Sequence, residues 1–293
     1  MNRRPPRPKR GALPTALHPG WPEYNSAHFE GQAKEAGASS PAACPMSGSI
    51  FPRLYEAQYA SFVEDLPLWL SLAANQKGPI LELGCGPGRV VSALHQAGFD
   101  VDGLDQDPEM LRRAEARLPA ALRKQVRLLQ GDLRRLSLDR LYALILVPCN
   151  TFAHLDEASA EEALAGIRRH LLAGGLFAAE MPTPGELLGK PTDSSEPVDM
   201  FIEPETGNPV QVYAEQEVGP SLGMIRVKWH YDELYPDGTV RRTDVPLLYT
   251  LWTPERLGEA LKRAGFSSFE IFGDYDCSPF ALESPRLLVV AAA

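Results

Sequence analysis

The stretch Ile80-Leu81-Glu82-Leu83-Gly84-Cys85-Gly86-Pro87-Gly88-Arg89 constrains this chain more than any other. A short apolar run gives a strand, three glycines in five residues give a turn that tolerates positive φ, and Arg89 to Ala97 carries helical spacing stopped by Gly98. Strand, glycine turn and helix in that order put unpaired helix N–H groups beside a backbone that a ligand can approach closely. The ligand class this implies is nucleotide-like.

The same alternation repeats on both sides of that turn. Apolar positions from Phe51 to Ala74 recur at three- and four-residue steps, predicting an amphipathic helix that Pro67 divides. Strands are expected at Val101 to Leu104, Val126 to Leu129, Ala143 to Val147 and Leu176 to Glu180. Helices are expected at Pro108 to Leu118 and at Glu157 to Leu172, the latter stopped by Gly174-Gly175. Repeated βα units of this length predict an α/β fold, a Rossmann-like, doubly wound, mostly parallel sheet with helices on both faces. After Pro182 the rhythm changes to an antiparallel β insert, with strands at Val198 to Ile202, Val210 to Val218, Met224 to Leu234 and Val240 to Leu251. In its third strand Ile225, Val227, Trp229 and Tyr231 alternate with Arg226, Lys228, His230 and Asp232, the pattern of one packed and one wetter face. Helix Pro254 to Ala264 and strands Ser268 to Phe272 and Arg286 to Ala291 then complete the main sheet. The expected organisation is a disordered tail over 1–50, a helix and cofactor-binding core over 51–188, the insert over 189–250, and completion of the core over 251–293.

Composition closes off several classes. The net charge of −9 disfavours a nucleic-acid partner, although the first fifty residues hold six Lys or Arg against three Asp or Glu and read as a solvated extension. No apolar run approaches the roughly 20 residues of a spanning helix, so no membrane partner is expected. Cys44, Cys85, Cys149 and Cys277 are too scattered for a metal knuckle or a disulfide framework, so a reducing cytoplasm is the default expectation. Six histidines without an H-x-x-x-H pair give no metal site.

Two nucleotide chemistries compete for the glycine turn. Asp105 lies 21 residues after Gly84, near the spacing of a ribose-binding acid in NAD proteins. Against NAD, position 89 holds Arg89 where that fingerprint needs glycine, and Glu82 would face a pyrophosphate. The same acid suits an ammonium group. At these residues the chain resembles the class I S-adenosylmethionine-dependent methyltransferases of small-molecule type, over about Tyr55 to Ala291. The resemblance implies that Glu82 belongs to the amino-acid end of an S-adenosyl-L-methionine site and that Gly84, Cys85, Gly86 and Gly88 form the turn beneath it. It also implies that Asp105 accepts both ribose hydroxyls and that Asp132 and Leu133 form the adenine segment. Gln106 stands where many members place an apolar residue against adenine, and Tyr59, with Tyr55, lies on the helix that folds over the cofactor.

The segment Pro148-Cys149-Asn150-Thr151-Phe152-Ala153-His154-Leu155 resembles a stretch of the family's small-molecule members. The expected activity is methyl transfer to the N or O of a small or medium-sized acceptor by in-line displacement, with His154, Glu180 and His230 as candidate bases. A cofactor-binding sensor without turnover, an NAD-dependent oxidoreductase and a cytosine methyltransferase using Cys149 are the rival readings. The insert is expected to act as a lid that selects the acceptor, or else as the sheet of a homodimer.

Overall fold

The computed structural model describes residues 50–120, 123, 125–188, 196–218 and 223–293. The predicted tail, apart from Ile50, and the beginning of the predicted insert lie outside the described residues. The strands of the main sheet are β1 Ile80–Leu83, β2 Val101–Asp105, β3 Arg127–Gln130, β4 Tyr142–Val147, β5 Leu171–Pro182, β10 Ser268–Phe272 and β11 Arg286–Ala292. A second sheet contains β6 Asp199–Ile202, β7 Pro209–Val218, β8 Met224–Leu234 and β9 Val240–Thr250. The helices are α1 Phe51–Gln58, α2 Leu66–Ala74, α3 Arg89–Gln96, α4 Pro108–Arg117, α5 Glu157–His170, α6 Pro184–Leu188 and α7 Pro254–Arg263.

The main sheet runs β10-β11-β5-β4-β1-β2-β3, with β11 antiparallel to both neighbours and the remaining pairs parallel. β1 is therefore flanked by β2 and β4, and the strand order reverses beside it. Open α/β sheets bind ligands at the carboxyl ends of strands at such a reversal. β1, β2 and β4 are buried along their whole lengths, as parallel strands covered on both faces must be.

Local chemistry explains most helix starts. Asp107, Asp156 and Thr253 cap α4, α5 and α7 by accepting from the N–H groups of Glu109, Ser159 and Arg256, and prolines open α4 and α7. The predicted stop of α5 needs correction. The helix ends at His170, because Leu171 turns extended and pairs with Tyr142, while Gly174-Gly175 lies inside β5 at a register shift opposite Tyr142 and Leu144. His170 closes that end by donating from Nδ1 to Gly166 O at 2.8 Å and accepting at Nε2 from Leu138 N at 2.9 Å. The break near Pro67 also moves: the chain leaves helical geometry over Tyr59 to Asp65, and Pro67 sits in the first turn of α2, where its missing N–H is harmless.

The second sheet is antiparallel, in the order β6-β7-β8-β9. On β8, Ile225, Val227 and Tyr231 are buried and Trp229 half-buried. The opposite face is less wet than its sequence implies, because Asp232 accepts two hydrogen bonds of 2.6 Å from Arg242, and His230 lies against Asp244 and Glu215. Phe51 and Leu54 of α1 pack with Met110 of α4 and with Val210, Val212, Tyr231 and Val245 of this sheet. Charges reinforce the seat of α1. Arg53 pairs with Glu203 and Glu233, and Glu56 pairs with Arg113 at 2.8 Å and Arg117 at 3.1 Å on α4.

Gly88 caps α3 at φ +76, and a Cβ there would lie 2.8 Å from Ala114 Cβ and 3.0 Å from its Cα, so this glycine permits α3 and α4 to meet. Gly98, at φ +91, faces open space. In urea denaturation Gly88→Ala should cost about 2–4 kcal/mol, and Gly98→Ala only about 1–2 kcal/mol from backbone strain alone.

Candidate active site

The carboxyl end of β1 delivers Glu82 to the point where the strand order reverses. Glu82 is 3% exposed and its Oε2 has no hydrogen-bond partner. Burial raises its pKa to about 8, opposed by the nearby Arg89 guanidinium and a hydrogen bond from the Val91 backbone. A dry carboxyl group with an open acceptor site is ready for a cationic donor.

Beyond Glu82 the glycine turn folds back on β2, with Gly84 N and Cys85 N both donating to Leu104 O at 2.8 and 3.0 Å. Its three glycines do different work. A Cβ on Gly84 would collide with Thr151 Cγ2 at 2.5 Å, and Gly88 makes room for Ala114. Gly86 alone faces open space, where a Cβ would meet nothing nearer than Tyr55 Cε1 at 3.9 Å. Tyr55 of α1 and Tyr59 just after it, their rings tilted with centroids 4.6 Å apart, line one cleft together with Glu82, Gly84, Cys85, Gly86, Arg89 and Cys149. The Cys85 side chain turns away from it into the core, where a Cβ on Gly103 would lie 2.9 Å from its Sγ.

Asp105, ending β2, is held ready beside this cleft: its Oδ2 accepts from Gly86 N at 2.8 Å and its Oδ1 from Asp107 N at 2.9 Å. Burial raises its pKa, and those two N–H groups pull it back. Gly131 N donates to Asp105 O at 3.0 Å, bringing the turn after β3 alongside. There Asp132 caps a short 3-10 turn, Leu133–Arg135, and is paired with Arg134 at 2.6 Å, which lowers its pKa. Leu133 is half-buried beside it, and Gln106 is exposed.

The three candidate bases are not brought together. Glu180, near the end of β5, reaches the edge of the cleft, where its Oε2 accepts from Cys149 N at 3.4 Å and its Oε1 from Tyr275 Oη at 2.6 Å and Arg286 at 3.0 Å. Burial raises the Glu180 pKa, against those donors. His154 instead contacts the second sheet, with Nδ1 3.0 Å from Leu248 O and its ring 4.5 Å from that of Tyr249. Part of His154 faces solvent, yet the dense packing around it lowers its pKa. His230 lies on the other face of β8 from Tyr231 and is not among the cleft's residues.

Sequence reasoning did not name Arg89 as a cleft residue and raised Cys149 only as the nucleophile of a rival reading, whereas both line the cleft. Arg89 follows the last glycine directly, so its position in the wall was legible from the turn. Cys149 and Asn150 adopt φ of 53° and 63°, unusual for residues other than glycine, and no sequence pattern announces this. Burial pushes the Cys149 thiol up to about 12, against the Arg89 guanidinium that donates to its Sγ at 3.0 Å.

Residues 80–175 match the family described as a methyltransferase domain. The chain therefore carries a methyltransferase domain over these residues. Cypemycin N-terminal methyltransferase from Streptomyces sp is 33% identical over 123 residues, 41% of this chain and 49% of that protein. The dTDP-3-amino-3,6-dideoxy-alpha-D-glucopyranose N,N-dimethyltransferase of Streptomyces fradiae is 26% identical over 211 residues, 69% of this chain and 75% of that protein. The chain spans less than half the length of the first curated relatives it matches. Among solved structures, the sugar N-methyltransferase KedS8 from Streptoalloteichus sp ATCC 53650 superposes with a TM-score of 0.65 at 21% identity, covering 89% of this chain and 99% of that one, a likeness of fold. No helix among the described residues is long and apolar enough to cross a membrane.

The methyltransferase domain should be sensitive to pH through Glu82. Folded, this group keeps its proton up to about pH 8, whereas unfolded it releases it near 4.5, so its contribution to stability falls as pH rises between those values. In urea denaturation at about pH 5 and pH 8.5, Glu82→Gln should abolish that loss, which amounts to roughly 4 kcal/mol at most.

Proposed function

We propose that this protein transfers a methyl group from S-adenosylmethionine to an amino group of a small acceptor. The observation that carries the cofactor reading is the buried, unpartnered Glu82 oxygen beside the open face of Gly86. An α-ammonium satisfies that oxygen, and a ligand backbone fits where any larger residue than glycine would intrude. When bound, the cofactor supplies a methyl carbon on a sulfonium, an electrophile whose leaving group is already good.

The chain's residues then have binding and orienting tasks. Asp105, aimed by the N–H groups of Gly86 and Asp107, accepts from the ribose hydroxyls through its remaining lone pairs. The segment Asp132-Leu133 takes the adenine end; this requires the Asp132 carboxylate to share its lone pairs between Arg134 and the base. Tyr55 and Tyr59 cover the cleft and exclude water. Because displacement at a sulfonium needs alignment more than proton transfer, orientation supplies most of the acceleration. Glu180 is the one candidate base at the cleft's edge, fixed there by Tyr275, Arg286 and the Cys149 N–H.

The choice of an amine rests on two relatives, whose names describe methylation of a peptide N-terminus and of an amino sugar. The second sheet, seated against α1 and against the turn that carries His154, is placed to select the acceptor; a sheet that joins two copies is the alternative. Incubation with S-adenosylmethionine and a panel of small primary amines and alcohols should yield S-adenosylhomocysteine only with amines. Binding without turnover on any acceptor would favour a sensor. Asp105→Ala should weaken cofactor binding measured by calorimetry by about 1.5–3 kcal/mol, the size of charge-assisted hydrogen bonds.

A further inference from the structure

Asp65 stands at the start of α2, outside the motifs described above, and is 0% exposed. Its Oδ1 accepts from Arg89 Nη1 and its Oδ2 from Arg89 Nη2, both at 2.6 Å, while Trp69 Nε1 donates to Oδ2 at 2.8 Å. Arg89 spends further donors on Phe62 O at 3.0 Å and Cys149 Sγ at 3.0 Å, and its guanidinium lies 4.9 Å from the centre of the Phe62 ring. Arg89 and Glu82 line the same cleft, yet Glu82 Oε2 has no partner. A guanidinium that reached Glu82 would displace its proton to solvent and pair with the carboxylate, so an unrestrained Arg89 would close on it. The planar fork matches the Asp65 carboxylate at two points and holds the guanidinium away. A buried ion pair of this kind adds little to stability over an apolar pair of similar volume, so packing alone does not account for it.

We propose that Asp65 is a positioning residue: by holding Arg89 in a two-point ion pair it keeps the guanidinium off Glu82 and reserves that carboxylate for the ammonium of the bound amino-acid moiety. This rests on the reading of the cleft as an S-adenosylmethionine site. It separates two jobs that one motif would otherwise confuse. Arg89 ties together α2, the segment before it and the turn after β4, while Glu82 stays open for the ligand.

Two probes distinguish positioning from bulk structure: S-adenosylhomocysteine, which carries the amino-acid moiety, and 5′-methylthioadenosine, which lacks it. By calorimetry Asp65→Asn should bind the first about tenfold or more weakly, the loss of a charge-assisted contact, and the second within about twofold of the unaltered protein. In a Glu82→Gln background, where no ion pair with Arg89 can form, Asp65→Asn should change S-adenosylhomocysteine binding by less than about twofold. Equal weakening of both probes, or the same tenfold loss in the Glu82→Gln background, overturns the proposal. Where Asp65→Asn does not fold by circular dichroism, Arg89→Lys replaces it: a flexible single-point cation reaches Glu82 and selectively weakens S-adenosylhomocysteine, and unchanged affinity overturns the proposal. If the unaltered protein binds neither probe, the cofactor reading fails and this inference with it. If it binds both and Asp65→Asn behaves identically, only the inference fails.

Discussion

A buried carboxyl group with one unpartnered oxygen, near the carboxyl end of a parallel strand, is the constraint around which this site is organised. Glu82 is paired through its backbone to Gly103 on one side and Leu146 on the other, so β1 cannot shift to carry its side chain back to water. Burial of an unpaired polar group costs free energy that an apolar residue would not incur. The fold tolerates that cost by protonating the group, and under the proposed function a cation in the cleft would relieve it. Strand order and glycine turn gain their meaning from this atom, because both deliver open space to its unsatisfied oxygen.

The lid over that space is α1, an eight-residue helix that has no stability of its own at such a length. It is kept in place from two directions. Phe51 and Leu54 enter a small apolar cluster shared with α4 and the second sheet, and Arg53 and Glu56 reach acids on one side and arginines on the other. Tyr231 Oη donates to Gln58 at 2.9 Å, joining β8 to the last turn of the helix. The second sheet therefore bears on the cleft through the helix that covers it, and a change in the seating of that sheet is felt by Tyr55 and Tyr59.

Much of this was legible in the sequence. The order of strand, glycine turn and helix, the acid ending β2 and the alternation along β8 each follow from local chemistry, and those elements lie where their residues predict. The parts that were not legible depend on long-range partners. Gly174-Gly175 has the look of a helix stop, yet Leu171 leaves the helix earlier to pair with Tyr142. His230 resembles a candidate base by residue type, but strand parity places it opposite Tyr231, among Asp244 and Glu215. Asp65 carries no motif, and its role depends on Arg89, 24 positions away.

Proton release on ligand binding tests the role of Glu82 most directly. S-adenosylhomocysteine is titrated into the protein near pH 7 in two buffers of different ionisation enthalpy, and the difference in heat gives the number of protons exchanged. A Glu82 that is protonated when free and ionised beside an ammonium releases about one proton per ligand, and Glu82→Gln releases none. Tight binding with no proton exchanged by the unaltered protein would contradict Glu82 as the ammonium receptor.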